Sequence, residues 1–349
     1  MKIAMVSAED TPEWRDVHVT DLSKALTALG HEVTAHRLDG AQADQELHLG
    51  DFVEVLRADW NRSRPDLVHA HSWRPGLAAS LAARTSGLPV VQSFHGFGRR
   101  ADVERLVSRE AALVLASCEH EMFDLAAAGI PRARIAVVAR GVDTDLFQSH
   151  GEVAARGPMR RIVTMVDPLS DNGAADLVAA LPRLPDVELV IAGAHAAGGA
   201  DRVLSRVRQL GVEKRTLLLG PVARRDMPAL LRSADVVAYV PRLPSWDPLP
   251  LEAMACGVPV VATAVGGLTD AVIDGVTGVL VPPREPKQLV RTLWAVLADD
   301  TLRDSCGIAA VDRVDARHTW PSVAVTVDRL YRRLVQSAVT SPAVGVNGG

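Results

Sequence analysis

The stretch Pro65–Phe94, PDLVHAHSWRPGLAASLAARTSGLPVVQSF, decides the fold. Its run Asp66–Ala70 has the length and apolarity of a buried strand. The Ala- and Leu-rich segment near Gly76–Ser86 predicts a helix that Gly87 ends, and Pro89–Ser93 predicts a second buried strand. A strand, a helix and a strand in about 30 residues form a crossover unit with parallel strands.

Outward from this unit the same alternation continues. Toward the N-terminus lie a strand at Lys2–Ser7, an amphipathic helix at Val17–Leu29 stopped by Gly30, and a strand at Glu32–Arg37. Beyond it come a helix at Val103–Arg109, a strand at Leu113–Ala116 and a helix at Glu119–Ala128. After Phe147 the polar segment Ser149–Pro158 predicts a linker, and the alternation restarts. Strands follow at Arg161–Val166, Glu188–Ala192, Thr216–Leu219, Val236–Tyr239 and Pro259–Ala262. Between them fall helices at Ala174–Leu181, Asp201–Leu210, Met227–Ser233 and Leu251–Cys256. Apolar strands alternating with helices imply parallel sheets covered on both faces. The sequence therefore predicts an α/β protein of two Rossmann-like domains, 1–148 and 149–318. A helix at about 319–336 packs back on the first domain in this scheme, and 337–349 form a disordered tail. Ligands of such sheets sit at the carboxyl ends of the strands.

Composition narrows the function. The 349 residues are 48% hydrophobic and 23% charged, the balance of a soluble globular protein. A net charge of -4 lacks the basic excess of a nucleic-acid binder. The three cysteines, Cys118, Cys256 and Cys306, are far apart and read as reduced thiols. With no signal-peptide core and no apolar run long enough for a membrane span, the expected location is cytoplasmic.

The stretch Pro250–Pro283, PLEAMACGVPVVATAVGGLTDAVIDGVTGVLVPP, closely resembles the donor-binding core of glycosyltransferase family 4. The resemblance covers nearly the whole chain, through GHEVT at Gly30–Thr34, PDLVHAHSW at Pro65–Trp73, SFHGFG at Ser93–Gly98, RIAVVARGVDTDLF at Arg134–Phe147, ELVIAG at Glu188–Gly193 and RSADVV at Arg232–Val237. It implies the GT-B fold, with two Rossmann-like domains facing each other across a cleft, and retaining transfer from a nucleotide sugar. It also implies that Glu252 accepts the ribose hydroxyls, that Gly266 and Gly267 allow close backbone approach, and that His95 faces the sugar near the reacting carbon. His69 and His71 are expected to be packing and acceptor-side residues, because no third metal-ligand spacing accompanies them. No metal or cofactor is called for. The donor is a substrate, of UDP or GDP type.

The positions that serve the donor's diphosphate depart from the family. A Gly-Gly loop after the first strand is matched by Glu13 and Trp14. The family's arginine and lysine after the first strand of the second domain are matched by Asp167 and Asn172. The first of its paired glutamates is matched by Pro244, and Asp247 and Pro248 occupy the loop before Glu252. Lost cations and a proline without an N–H disfavour a diphosphate. Arg140, in VVARGVD, and the pair Arg99–Arg100 are the candidates for a substitute cation.

Two functions stay open on the sequence. One is a glycosyltransferase with an atypical donor and a small-molecule or lipid acceptor, in peripheral contact with a membrane if the acceptor is lipid. The other is a catalytically inactive pseudo-glycosyltransferase acting as a binding subunit, either as a homodimer or beside a partner transferase. A dehydrogenase is disfavoured because no GxGxxG follows the first strand.

Overall fold

Strand and helix succeed each other from Lys2 to Thr340 in the computed structural model. It describes residues 1–8, 13–38, 45–96, 98, 100–166, 173–193, 199–244 and 247–340, with the backbone alone at 13–16, 45–48, 199–202 and 338–340. Two compact units result, Met1–Gly141 with the chain from Trp320 onward, and Val142–Thr319. The sequence places the division after 148; the chain changes unit at Gly141–Val142. The expected linker is fixed to the second unit. Ala154 N donates to Ala229 O at 2.9 Å, and Arg232 binds the carbonyls of Gln148 and Glu152.

The first unit runs β1 (Lys2–Ala8), α1 (Glu13–Ala28), β2 (Glu32–Leu38), α2 (Gln45–Arg62), β3 (Leu67–His71), α3 (Trp73–Ala83), β4 (Val90–Ser93), α4 (Ala101–Glu110), β5 (Leu113–Ala116), α5 (Glu119–Ala127) and β6 (Ile135–Val137). Its six strands are parallel in the order β2-β1-β3-β4-β5-β6. All five residues of β3 are buried, as a central strand covered on both faces requires. Alternate residues of the strands feed opposite faces. Ile3, Met5 and Leu67 pack with α1, while Ala4, Val6 and Val68 pack with α2 and α3. Gly76 lets α3 lie close to the sheet, since a Cβ there would collide with Gln92 and with Val107 Cγ1.

The second unit runs β7 (Arg160–Met165), α6 (Ala174–Ala180), β8 (Val187–Ala192), α7 (Gly199–Leu210), β9 (Thr216–Gly220), α8 (Met227–Arg232), β10 (Val236–Tyr239), α9 (Leu249–Ala255), β11 (Val260–Thr263), α10 (Leu268–Ala271), β12 (Gly278–Val281), α11 (Pro286–Ala298) and α12 (Asp300–Arg317). Its parallel order is β12-β11-β10-β7-β8-β9. A last helix, α13 (Trp320–Thr340), belongs to the first unit, where Trp320, Val323, Val327 and Tyr331 join the core beneath α1.

Several elements escape the sequence reading. Strand β6 has only three residues, and β12, GVLV, opens on a glycine and is buried only at its two ends, so neither shows a buried apolar run. Helices α2, α11 and α12 are also absent from the predicted set. Helix α1 starts at Glu13 rather than Val17, so Glu13 and Trp14 open a helix instead of lying in a loop. At the other end α13 continues through 337–340, where a tail is expected; residues 341–349 lie outside the described residues. No helix among the described residues is long and apolar enough to cross a membrane.

Candidate active site

At the carboxyl ends of the first unit's strands, β3 delivers His69 and His71, β4 delivers Ser93, the following loop delivers His95, and the segment after β6 delivers Arg140. Helix α1 adds His18 from the side, its ring centroid 4.7 Å from that of His95. These groups are joined by hydrogen bonds. His71 Nδ1 lies 2.9 Å from His95 Nε2, and Arg140 Nη1 lies 3.2 Å from His95 Nδ1. His69 bridges Ser93 Oγ at 2.9 Å and the Tyr331 hydroxyl at 2.6 Å, tying β3 to α13.

Arg140 fixes the protons in this chain. A guanidinium only donates, so His95 Nδ1 accepts and its proton resides on Nε2. That proton is donated to His71 Nδ1, and His71 carries its own on Nε2. His71 Nε2 is buried with no hydrogen-bond partner among the described residues. Burial and the Arg140 charge push His71 down to about 3. Burial also holds His18 well below the usual histidine range, with Arg140 and then His71 adding to it. Burial, His71 and His18 do the same to His69. Neutral imidazoles beside a permanent cation result.

The backbone around the cluster is constrained. Ser72 and His95 are non-glycine residues with φ of 69° and 58°, a conformation costing about 1–3 kcal/mol each. Ser72 is pinned by its N–H to Ser93 O at 2.7 Å and by Gln92 Nε2 to its carbonyl at 3.0 Å. His95 is pinned through its ring. Both ring nitrogens are engaged inside the unit.

Three imidazoles therefore converge, although the sequence offers no third metal-ligand spacing beside His69 and His71. His18, His71 and His95 present ligand atoms within 4.8 Å of one another, drawn from α1, β3 and the loop after β4. Separation along the chain conceals the cluster from a spacing search. A metal would still have to displace a hydrogen bond on His95, whose two ring nitrogens are both engaged, and sit near the positive charge of Arg140. The set suits neutral or anionic oxygen better. A small cavity of about 30 Å³ adjoins it, lined by His18, Ser93, His95, Ser117 and Arg140 among apolar neighbours.

In the second unit Glu252 lies in α9, after β10. It is 3% exposed, and its Oε1 accepts from Arg224 Nη1 at 2.7 Å. Burial pushes this carboxyl above the usual range, Arg224 opposes that, and Asp143 adds to it. Arg224 follows β9, and its guanidinium lies 5.0 Å from the Phe147 ring centroid. Nothing in the sequence marked it, because its partner is 28 positions away.

Of the glycine pair, Gly266 has φ 51° and a Cβ would come within 3.0 Å of Pro244 Cβ. Gly267 has φ −67°, an ordinary helical value, and opens α10. Pro248 precedes α9, and Asp247 is buried with Oδ1 accepting Leu249 N at 2.8 Å. The acidic residue in the loop thus acts as a helix cap. With Pro248 and Pro250 lacking an N–H and Leu249 N already bound, the start of α9 offers an anion little.

The remaining positions are distributed as follows. Arg140 belongs to the first unit's histidine cluster, whereas Glu252, Gly266 and Gly267 belong to the second unit. Arg100 precedes α4 with its guanidinium 5.6 Å from the Trp73 ring centroid. Asp167, Asn172 and Arg99 lie outside the described residues, and so do the side chains of Glu13 and Trp14.

Two six-stranded parallel α/β units with these clusters at their strand ends have the architecture of the GT-B fold. Over 97% of the chain the structure is similar to sucrose-phosphate synthase from Thermosynechococcus elongatus, covering 100% of that chain with a TM-score of 0.83 at 22% identity. Residues 16–146 match the family model described as Glycosyltransferase Family 4, and residues 152–313 match Glycosyl transferases group 1. The chain is 36% identical over 304 residues to D-inositol 3-phosphate glycosyltransferase of Mycolicibacterium gilvum, spanning 79% of this chain and 67% of that one. For the counterpart of that name in Mycobacterium tuberculosis (strain ATCC 25177 / H37Ra) the identity is 32% over 302 residues, 77% of this chain and 62% of the relative. The protein belongs to glycosyltransferase family 4.

Proposed function

We propose that this protein transfers a sugar, with retention, from a nucleotide-sugar donor to a small hydroxylated acceptor. The name of the Mycolicibacterium relative makes an inositol phosphate the first acceptor to test. The observation that carries this reading is Glu252, a buried carboxylate with one oxygen bound to Arg224 and no other partner among the described residues. Its open oxygen suits a ribose hydroxyl. His95, held in one tautomer, is the group assigned to the reacting sugar. In retaining chemistry of this class the acceptor attacks on the face that the leaving group vacates, so positioning and charge stabilisation do the catalytic work.

The donor's diphosphate is held in an atypical way in this reading. The start of α9 is poor in free N–H groups, and Asp167 and Asn172 stand where the family has cations. The same observation supports a second reading, a catalytically inactive subunit. Thermal melting with UDP, GDP, ADP and their sugar conjugates tests nucleotide binding; ligand at 100 times its Kd stabilises by about 2.7 kcal/mol. A flat response to all of them at millimolar concentration sinks the donor site. Stabilisation without sugar transfer to inositol phosphate or to a broader acceptor panel selects the inactive subunit.

A further inference from the structure

Arg224 is held on two sides. Nη1 donates to Glu252 Oε1 at 2.7 Å, and the guanidinium lies over the buried ring of Phe147 at 5.0 Å. The side chain is 32% exposed, against 4% for Glu252, so the arginine stands between the buried carboxylate and solvent. An arginine stacked on an aromatic face keeps its fork in one orientation and loses less freedom per hydrogen bond than a lysine.

Resting on the reading of Glu252 as the ribose group, we propose that Arg224 is a positioning residue that keeps Glu252 an aimed carboxylate. Its hydrogen bond takes Oε1 and leaves Oε2 to accept a ribose hydroxyl. An ionised carboxylate only accepts, whereas a protonated one carries a donor that competes with that contact. The groups around Glu252 make the arginine necessary. Burial and Asp143 both favour the protonated form, and Arg224 is the cation that opposes them. Cys256, at the end of α9, bears on Glu252 only as a neutral thiol, because burial pushes it up to about 12. Arg232 at the end of α8 is directed at Cys256 and at the carbonyls of Gln148 and Glu152.

The test compares wild type with Arg224→Met, which keeps an apolar stem over Phe147, and Arg224→Lys, which keeps the charge. Glu252 is titrated by carboxyl-carbon NMR, assigned with Glu252→Gln, and calorimetry follows UDP and 2′-deoxy-UDP from pH 6 to 8.5. In Arg224→Met the Glu252 titration is expected to rise, and UDP affinity to fall as the pH is lowered through it. Wild type keeps the lower Glu252 titration and prefers UDP over the deoxy nucleotide, and Arg224→Lys restores most of both. An unmoved Glu252 titration in Arg224→Met overturns the role of Arg224 alone. A wild-type protein that binds none of UDP, GDP and ADP overturns the ribose reading of Glu252, and the positioning role falls with it.

Discussion

Arg140 Nη1 lies 3.2 Å from His95 Nδ1, and this contact decides which nitrogen of the histidine carries the proton. This residue, which the sequence offers as a counter-charge for the donor's phosphates, lies buried against the first unit's histidines. Burial first, and then its charge, keep His18 and His71 neutral.

Replacing Arg140 with methionine removes the donor that fixes His95. The ring then has no cation enforcing the Nε2–H tautomer, and nitrogen-15 NMR of the imidazoles should show mixed tautomers. Sugar transfer should fall by about tenfold or more, the scale of a lost charge-assisted contact. Unchanged tautomer populations and rates would remove Arg140 from the site.

Acid should unfold the protein through its histidines. His71 titrates near 3 when folded and near 6.5 when unfolded, so on acidification the unfolded chain binds the proton first. The stability it contributes is fully present above pH 6.5 and declines as pH falls toward 3. Below pH 6.5 each unit costs about 1.4 kcal/mol for such a group. His18 and His69, also depressed, steepen the slope. Melting curves from pH 7.5 to 4 should show this loss, and His71→Asn should flatten it.

Tyr331→Phe deletes the hydroxyl that meets His69 Nδ1 at 2.6 Å. The buried ring nitrogen loses its partner, at a cost of about 1–3 kcal/mol. Chemical denaturation measures it, and a change below about 0.3 kcal/mol would contradict the tie between β3 and α13.

Asp247→Ala removes the cap on Leu249 N, and about 1 kcal/mol of stability should go with it. The same variant frees that N–H for a ligand. If the acidic residue obstructs the donor's phosphates, UDP binding measured by calorimetry should tighten while the melting temperature falls.

Gly76→Ala should be worse tolerated than its small volume suggests. Its Cβ would meet Gln92 and Val107 Cγ1, in a region where α3 lies against β4 and α4. Overpacking of this kind costs about 1–3 kcal/mol, readable as a shift in the urea midpoint.

Much of the fold was legible because buried parallel strands leave continuous apolar runs. LVHAH of β3 and VVAY of β10 announce themselves without any partner. Strand β6 does not, because IAV is fixed by pairing with β5 rather than by its own pattern. Glu252 and His95 are offered as site residues by their motifs. Arg224 is not, because a cation 28 positions from its carboxylate becomes informative only when the chain brings the two within 2.7 Å.

The sequence by itself determined two α/β units and a glycosyltransferase family, since hydrophobic period and local motifs are properties of neighbouring residues. It also named the altered positions around the expected diphosphate. Tertiary structure decided what the charges do. It placed Arg140 with His95 and Arg224 with Glu252, and it gathered His18, His71 and His95 from three segments. Electrostatic roles depend on distance and burial, and neither is fixed by position along a chain.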